Sequence, residues 1–277
     1  MNSANTMSLK ARIRNIAKSK HIAPQAVLQN YLFERFLERL SRSKYQDNFI
    51  LKGGLLIAAM TGLESRSTMD MDATVRAFPF DEEHIKTAIE DICTMHDGDA
   101  ISFHFAGISM IRDDDEYGGF RVSLSAVFEV INAPLSIDIT SGDVITPKPV
   151  KRAFKTVFDE AGQFELWTYN TETILAEKIE TILRRGEYNT RPRDFYDIYL
   201  IVKTQTFDRD AFMEALNATA IHRGTSEQIK PAKEILGVIA NSIELKKHWE
   251  KYRRDYNYAK DIAFEDTVRT IWELMEL

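Results

Sequence analysis

Asp70 and Asp72 lie one residue apart in a segment where polar and apolar side chains alternate, which is typical of a β-strand. Side chains two residues apart on a strand point to the same face, with their Cα atoms about 7 Å apart, so both carboxylates can face one site. Proteins commonly bind Mg²⁺ through one or two carboxylates together with substrate phosphates. Two such ions can activate an attacking hydroxyl and stabilise a leaving pyrophosphate. Solvated strand surfaces also carry aspartates, so the pair by itself leaves that simpler interpretation open.

A third carboxylate, Asp138, lies on the polar side of a second alternating segment, residues 134–140. On a strand beside the first, it would allow two ions to be held at once. We therefore predict a two-ion metal site for Mg²⁺, with Mn²⁺ as an alternative ion. The predicted metal ligands are Asp70, Asp72 and Asp138.

A glycine pair, Gly53 and Gly54, separates two short apolar segments, a pattern that predicts a strand, a glycine turn and a helix. Glycine lets backbone amides approach a phosphate closely, and a helix N-terminus offers unpaired N–H groups to an anion. Such a pair is more often an ordinary turn, but this one stands sixteen positions before Asp70, and polar residues lead into the aspartates. The predicted nucleotide-binding residues are Gly53, Gly54, Ser65, Arg66, Thr68 and Lys178.

Two later charged residues have both a chemical and a structural interpretation. Lys178 lies outside the apolar stripe of its predicted helix, where it could pair with Glu177 or Glu180, or reach a triphosphate as a point charge. Asp194 precedes another apolar stripe and would suit a helix cap. Spacing alone slightly favours the structural interpretation of both segments.

The periodicity of apolar residues divides the chain into three parts. The first fifty residues have helical spacing, the middle alternates as strands do, and helical spacing then returns, with two or three further helices expected after Asp208. The expected fold class is α/β (α+β), with a mixed sheet core, N-terminal helices and a helical C-terminal half. We expect a core of residues 1–150 and a mainly helical domain of residues 151–277 that completes the active site.

The composition is that of a globular protein, since 44% of the 277 residues are apolar and 28% are charged. The net charge of −6 argues against binding nucleic acid over the whole surface, although a local basic groove stays open. The single cysteine, Cys93, excludes an internal disulfide and a thiolate metal cluster, and the six histidines show no metal-ligand spacing. With neither a membrane-spanning run nor a signal peptide evident, we expect a cytoplasmic protein without a membrane partner.

Basic segments that also contain aromatic residues occur at 148–155, 184–193 and 246–254. Cations mixed with aromatics suit a single-stranded RNA end, where phosphates are neutralised and bases stack. Such runs are more often solvated helix faces. The aromatic residues concerned are Phe154, Tyr188, Trp249 and Tyr252.

Four segments taken together resemble one known family. They are LKGG at 51–54, RSTMDMD at 66–72, SIDIT at 136–140 and LAEKIETILRRGEYNTRPRDFYDIYLI at 175–201. In this order they are similar to the AbiEii-like nucleotidyltransferase toxins, which are related to the MenT toxins and belong to the polymerase-β-like nucleotidyltransferase superfamily. One departure is Leu55, because the superfamily usually has Ser or Thr after the glycines. Backbone amides or nearby hydroxyls would then take over that phosphate contact.

The resemblance implies a nucleotidyltransferase-type sheet and a toxin of a toxin–antitoxin or abortive-infection system. Such an enzyme would transfer a nucleoside monophosphate from a nucleoside triphosphate to RNA, at the 3′ acceptor end of tRNA, and so block translation and growth. Its expected partners are the triphosphate, the RNA and a cognate antitoxin. By the same resemblance, Lys178 would contact nucleotide phosphates and Asp194 would act as a base or a positioning residue. The expected catalytic residues are Asp70, Asp72, Lys178 and Asp194.

Two other classes stay open. Asp-x-Asp pairs also serve other Mg²⁺-dependent phosphoryl or glycosyl transferases. A non-catalytic, nucleotide-binding regulatory protein could carry the same residues without turnover.

Overall fold

The computed structural model describes residues 3–95, 98–111, 118–158 and 162–276. Contacts divide the chain into two compact units. We call Met1–Asp143 with Val150–Thr168 the sheet unit, and Val144–Pro149 with Tyr169–Leu277 the helical unit.

A mixed β-sheet forms the centre of the sheet unit, with strand order β3-β4-β5-β2-β1-β7-β6 among the described residues. Its two central neighbours, β2 and β5, run parallel, whereas β1 is antiparallel to β2 and β4 is antiparallel to β5. Their bounds are β1 Phe49–Lys52, β2 Met71–Val75, β3 Ser102–Ile111, β4 Gly119–Phe128, β5 Ile131–Ser141, β6 Val150–Lys155 and β7 Gln163–Thr168.

The helices of the sheet unit begin where the sequence offers standard start signals. Pro24 occupies the first turn of its helix, where its missing N–H costs nothing. The carboxylate of Asp81 accepts a hydrogen bond from the backbone N–H of His84 and so caps the helix that begins at Glu82. Their bounds are α1 Ser3–Lys20, α2 Pro24–Arg42, α3 Gly53–Thr61 and α4 Glu82–Thr94.

One face of the sheet supplies most of the apolar core of this unit. Met71 and Ala73 on β2, and Ile137 and Ile139 on β5, are almost completely buried. Helix α2 packs on this side, where the ring of Phe36 meets that of Phe103 edge-on with centroids 5.6 Å apart. Because side chains alternate along a strand, the residues between these apolar ones point to the opposite face. The alternation therefore places the predicted aspartates outside this core.

The helical unit consists of short helices that end at recognisable breaks. Gly186 ends the first with φ +53°, and the hydroxyl of Ser242 caps a later one. From Arg209 onward there are five α-helices in the described residues, more than the two or three expected. The breaks divide segments whose apolar spacing suggests fewer and longer helices. Their bounds are α5 Thr171–Arg185, α6 Pro192–Thr204, α7 Arg209–His222, α8 Ser226–Ile229, α9 Ala232–Asn241, α10 Ile243–Asp255 and α11 Phe264–Met275, with short 3₁₀ helices at Gly186–Tyr188 and Asn257–Ala259.

The expected mixed α/β class is confirmed. Strands β6 and β7 were not predicted, and they lie in the sheet unit, beyond the boundary expected at residue 150. They pair antiparallel with each other, and β7 runs beside β1. Each is only six residues long, and the pair joins the rest of the sheet through β7 and the sequence-distant β1, so local periodicity gave little sign of them.

Candidate active site

Four charged residues lie side by side across the sheet, one on each of four adjacent strands. Asp72 is paired in register with Lys52 on one side and with Asp138 on the other, and Asp138 is paired with Arg121. Residues paired directly across strands point to the same face, with neighbouring strands about 4.8 Å apart. We call these four residues, Lys52, Asp72, Asp138 and Arg121, the charge row. It brings two of the predicted aspartates to one face of the sheet.

The glycine turn lies directly against the first of these carboxylates. Gly53 has φ +69°, and a Cβ built on it would come within 1.9 Å of a carboxylate oxygen of Asp72. Only glycine fits here, both because of its backbone angle and because of the close approach. The glycine turn and the aspartate strand are therefore in contact within the sheet unit.

The second glycine faces the polar residues that precede the strand. A Cβ on Gly54 would lie 3.0 Å from the hydroxyl of Thr68 and 3.1 Å from a guanidinium nitrogen of Arg66. The hydroxyl of Thr68 donates to a carboxylate oxygen of Asp70 at 2.5 Å, which ties Asp70 to this cluster. Ser65 lies in the turn after α3, where its backbone N–H donates to the carbonyl of Gly62 at 3.0 Å.

Asp138 is engaged by an arginine. The Nε of Arg121 donates to Oδ1 of Asp138 at 2.7 Å, and its Nη2 donates to Oδ2 at 2.6 Å. These hydrogen bonds and the charge of Asp138 raise the pKa of Arg121, and the charges of Asp70 and Asp72 add to this effect. In the part of the chain that the structure describes, no three Asp, Glu, His or Cys side chains are already arranged to hold one metal ion.

Lys52, the other end of the charge row, belongs to this site although it was not among the predicted site residues. Its ammonium donates to the hydroxyl of Thr140 at 2.8 Å and to the carboxylate of Asp143. The side chain is 16% exposed, so this charge is largely withdrawn from solvent. Its position opposite Asp72 follows from strand register, which a single sequence does not reveal.

In the helical unit, the predicted Lys178 and Asp194 are brought together. The Nζ of Lys178 lies 2.8 Å from a carboxylate oxygen of Asp194 and 2.8 Å from one of Asp197, which is completely buried. Burial acts to lower the pKa of Lys178, but the charges and hydrogen bonds of the two aspartates outweigh it and raise that pKa above its ordinary value. Lys178 is therefore a protonated cation between two carboxylates.

The structure has neither the pairing of Lys178 with a neighbouring glutamate nor the helix cap at Asp194 that the sequence also allowed. Glu177 and Glu180 pair with Arg223, and not with Lys178, and the Arg223–Glu180 distance is 2.5 Å. Asp194 lies inside the first turn of α6, whose N-cap position is Arg191 without a side-chain cap. Helix capping therefore does not explain Asp194.

The aromatic residues of the basic segments are mostly core residues, which corrects the expectation that they stack on bases. Trp249 is completely buried, and Phe154 and Tyr252 are each 7% exposed. Phe154 stacks on Phe164 with ring centroids 5.4 Å apart. Tyr188 alone of the four is open to solvent, at 82% exposure.

Solved structures similar to this chain have very different sequences. The structure of JHP933 from Helicobacter pylori has a TM-score of 0.54 and 13% identity, covering 92% of this chain and 91% of that one. A second Helicobacter pylori protein, described as a candidate nucleotidyltransferase, has a TM-score of 0.49 and 14% identity over 92% and 95%. An antigenic nucleotidyltransferase-like protein from Paracoccidioides brasiliensis has a TM-score of 0.40 and 12% identity over 72% and 92%. The first of these likenesses shows a shared fold. No curated protein sequence matched the chain.

The mixed sheet, with its glycine turn packed against an aspartate strand, has the architecture of a nucleotidyltransferase. The chain belongs to the nucleotidyl transferase AbiEii toxin family of type IV toxin–antitoxin systems, which matches it over residues 35–272. It is accordingly an enzyme of the nucleotidyltransferase class. None of the helices in the described residues is both long and apolar enough to cross a membrane.

Proposed function

We propose that this enzyme transfers a nucleoside monophosphate from a nucleoside triphosphate to RNA, at the 3′ acceptor end of tRNA. Modification of that end would block aminoacylation, and so stop translation and growth until an antitoxin relieves the inhibition. Membership of a family of nucleotidyl transferase toxins supports the reaction class and the antitoxin partner. The choice of RNA comes from the resemblance to relatives that modify tRNA.

The observation that carries the proposal is the contact between Gly53 and Asp72. It sets the N-terminus of α3 beside a carboxylate, and the N-cap residue of this helix makes no side-chain cap hydrogen bond. First-turn N–H groups attract phosphate, and Gly53 lets the start of this helix lie directly against Asp72. Leu55 is buried in the core, so its lack of a hydroxyl leaves these backbone groups as the phosphate contacts. The side-chain hydroxyl of Thr68 lies beside Gly54, where it can stand in for the hydroxyl that Leu55 lacks.

The carboxylates fit a divalent cation of the Mg²⁺ type. Asp70 and Asp72 offer hard oxygen donors, and Mg²⁺ is commonly held by one or two carboxylates together with substrate phosphates. We propose Asp70 and Asp72 as its ligands, with Asp138 joining them as the third, and Mn²⁺ as an alternative ion. When bound, such ions polarise the phosphoryl oxygens and lower the pKa of an attacking hydroxyl.

The transfer forms one bond and breaks one. The 3′-hydroxyl oxygen of the RNA forms a bond to the α-phosphorus, while the bond from that phosphorus to the bridging oxygen breaks and pyrophosphate leaves. The hydroxyl proton passes to a carboxylate or to solvent. The chain's contribution is to hold the phosphates at the glycine turn and to orient the reacting oxygens, which can account for a large part of a phosphoryl-transfer rate. We propose a phosphate-contacting role for Lys178 and a base or positioning role for Asp194.

Incubation of the purified protein with Mg²⁺, each α-labelled nucleoside triphosphate and total tRNA tests the proposal. We expect label in tRNA, and we expect Asp72→Asn to reduce the rate by on the order of a thousandfold, because metal-ion stabilisation is worth several kcal/mol. Asp91 is half-buried elsewhere in the sheet unit, where it accepts a hydrogen bond from the hydroxyl of Tyr45, and it provides a matched Asp→Asn control.

The other outcomes separate the alternatives. Label in a product other than RNA would indicate a different transfer reaction, and no label with any triphosphate would indicate a nucleotide-binding protein without turnover. Either result, or full growth inhibition by an Asp72→Asn strain, would contradict the proposed function.

A further inference from the structure

Arg121 binds the third carboxylate of the site in a way that concerns metal binding directly. Its guanidinium uses both oxygens of Asp138, in the two-point geometry that makes arginine–carboxylate pairs strong and directional. The Arg121 side chain is 54% exposed, whereas Asp138 is 18% exposed. The arginine therefore reaches in from solvent to a mostly covered carboxylate, and it can leave without disturbing the core.

The charge of Arg121 also affects the other two aspartates. Asp72 is the register partner of Asp138, and the charges of both Asp70 and Asp72 contribute to the raised pKa of Arg121. Neighbouring carboxylates repel one another when no cation lies between them. Arg121 supplies a positive charge to this cluster at one end of the charge row, and Lys52 lies at the other end.

We propose that Arg121 is a positioning residue that holds Asp138 in the metal-free enzyme and competes with the divalent cation for it. This inference rests on the proposed function, since it assigns Asp138 to the same metal site. Two positive charges beside one carboxylate repel each other, so ion binding through Asp138 requires Arg121 to weaken or leave its ion pair. Metal loading and release of Arg121 are thereby coupled.

Mn²⁺ titration followed by electron paramagnetic resonance measures this competition without any need for turnover. We expect Arg121→Gln to bind Mn²⁺ more tightly than wild type, by on the order of tenfold at low ionic strength, because one opposing charge has gone. The metal-free variant should melt at a lower temperature than wild type, and Mn²⁺ should restore more of that loss than it does in wild type. A residue with a merely structural role would instead weaken Mn²⁺ binding when removed.

Arg42 provides the matched control, because it is 52% exposed and forms an ion pair with Glu38 on α2. Arg42→Gln removes the same charge from the same unit and should leave Mn²⁺ affinity unchanged. The double variant Arg121→Gln/Asp138→Asn tests the route of the effect: the gain in affinity should disappear when Asp138 is absent. A gain that persists without Asp138 would show that Arg121 acts through general charge and would overturn the proposal.

The inference and the proposed function fail in different ways. Equal or weaker Mn²⁺ binding by Arg121→Gln, with binding that still depends on Asp72, would overturn only the role of Arg121. Mn²⁺ binding that is absent, or that is unchanged in Asp72→Asn, would contradict both the metal site of the proposed function and this inference.

Discussion

At the scale of single residues, the glycine turn and the first carboxylate set each other's position. Gly53 has a left-handed backbone, and it lies so close to Asp72 that any side chain at this position would clash with the carboxylate. The residue is thus required for local geometry and for the placement of a proposed metal ligand. These two demands can be separated by comparison with a glycine that has only the first.

Gly142 is that comparison, since it has φ +82° but no atom within 4 Å of a built Cβ. A left-handed backbone costs a non-glycine residue about 1–2 kcal/mol, so Gly142→Ala should lose roughly that much stability and keep its activity. Gly53→Ala should lose more stability, because Asp72 must also move, and should lose nucleotidyl transfer. Chemical denaturation and the labelled-tRNA assay give both quantities. Equal activity of the two variants would contradict the assigned role of Gly53.

Lys178 gives a prediction about pH at the same scale. Its folded-state pKa is raised, so the protonated lysine contributes stability that is fully present below its unfolded pKa of about 10.4 and is lost as the pH rises through the folded value. Lys178→Met should destabilise the protein by about 3 kcal/mol or more at pH 7, since it leaves the buried Asp194 and Asp197 without their cation.

The free energy of unfolding of wild type and variant, measured from pH 7 to pH 11, checks this prediction. The difference should be constant up to about pH 9 and should shrink above about pH 10.5. Lys230→Met is the control, because Lys230 is 73% exposed and its pair with Glu227 is solvated. A difference between wild type and Lys178→Met that grows with pH would contradict the assignment.

At the scale of elements, helix α2 braces the segments that carry the aspartates. The side-chain amide of Gln29, which is 2% exposed, donates to the carbonyl of Met69 at 3.3 Å and to that of Pro134 at 3.1 Å. Met69 directly precedes Asp70, and Pro134 lies on β5 before Asp138. One buried side chain thus links the helix to both aspartate-bearing segments.

Gln29→Leu removes both hydrogen bonds and should destabilise the protein by about 1–2 kcal/mol. Because the segment before Asp70 is then less constrained, nucleotidyl transfer should fall further than the loss of stability alone explains, when it is assayed at a temperature where the variant is fully folded. Gln25→Leu, one turn earlier on α2 and exposed, is the control. Transfer by Gln29→Leu at the wild-type rate would show that this brace does not serve the site.

At the scale of the whole molecule, the family match extends across both units. It spans residues 35–272, so the helical unit is part of the family's common architecture and not an appendage. The overall charge of −6 is also informative here. Binding of an RNA end would require local cations, because a molecule with this net negative charge repels polyanions overall.

Much of this protein is already determined by its sequence. Alternation placed Asp72 and Asp138 on the polar faces of their strands, and helical spacing located α2 and α5, because both signals depend only on neighbours along the chain. The order of the motifs gave the family, which the comparison confirmed. The helix starts at Pro24 and Asp81 likewise depend only on residues close by in the sequence.

The tertiary structure alone decided the pairing of charges. Strand register placed Arg121 beside Asp138 and Lys52 beside Asp72. Helix packing placed Lys178 between Asp194 and Asp197, so that it pairs with them and not with its sequence neighbours Glu177 and Glu180. Burial likewise turned Trp249 from a candidate base-stacking residue into a core residue. These outcomes depend on groups far apart in sequence, whose meeting is determined by the packing of whole elements and not by any local pattern.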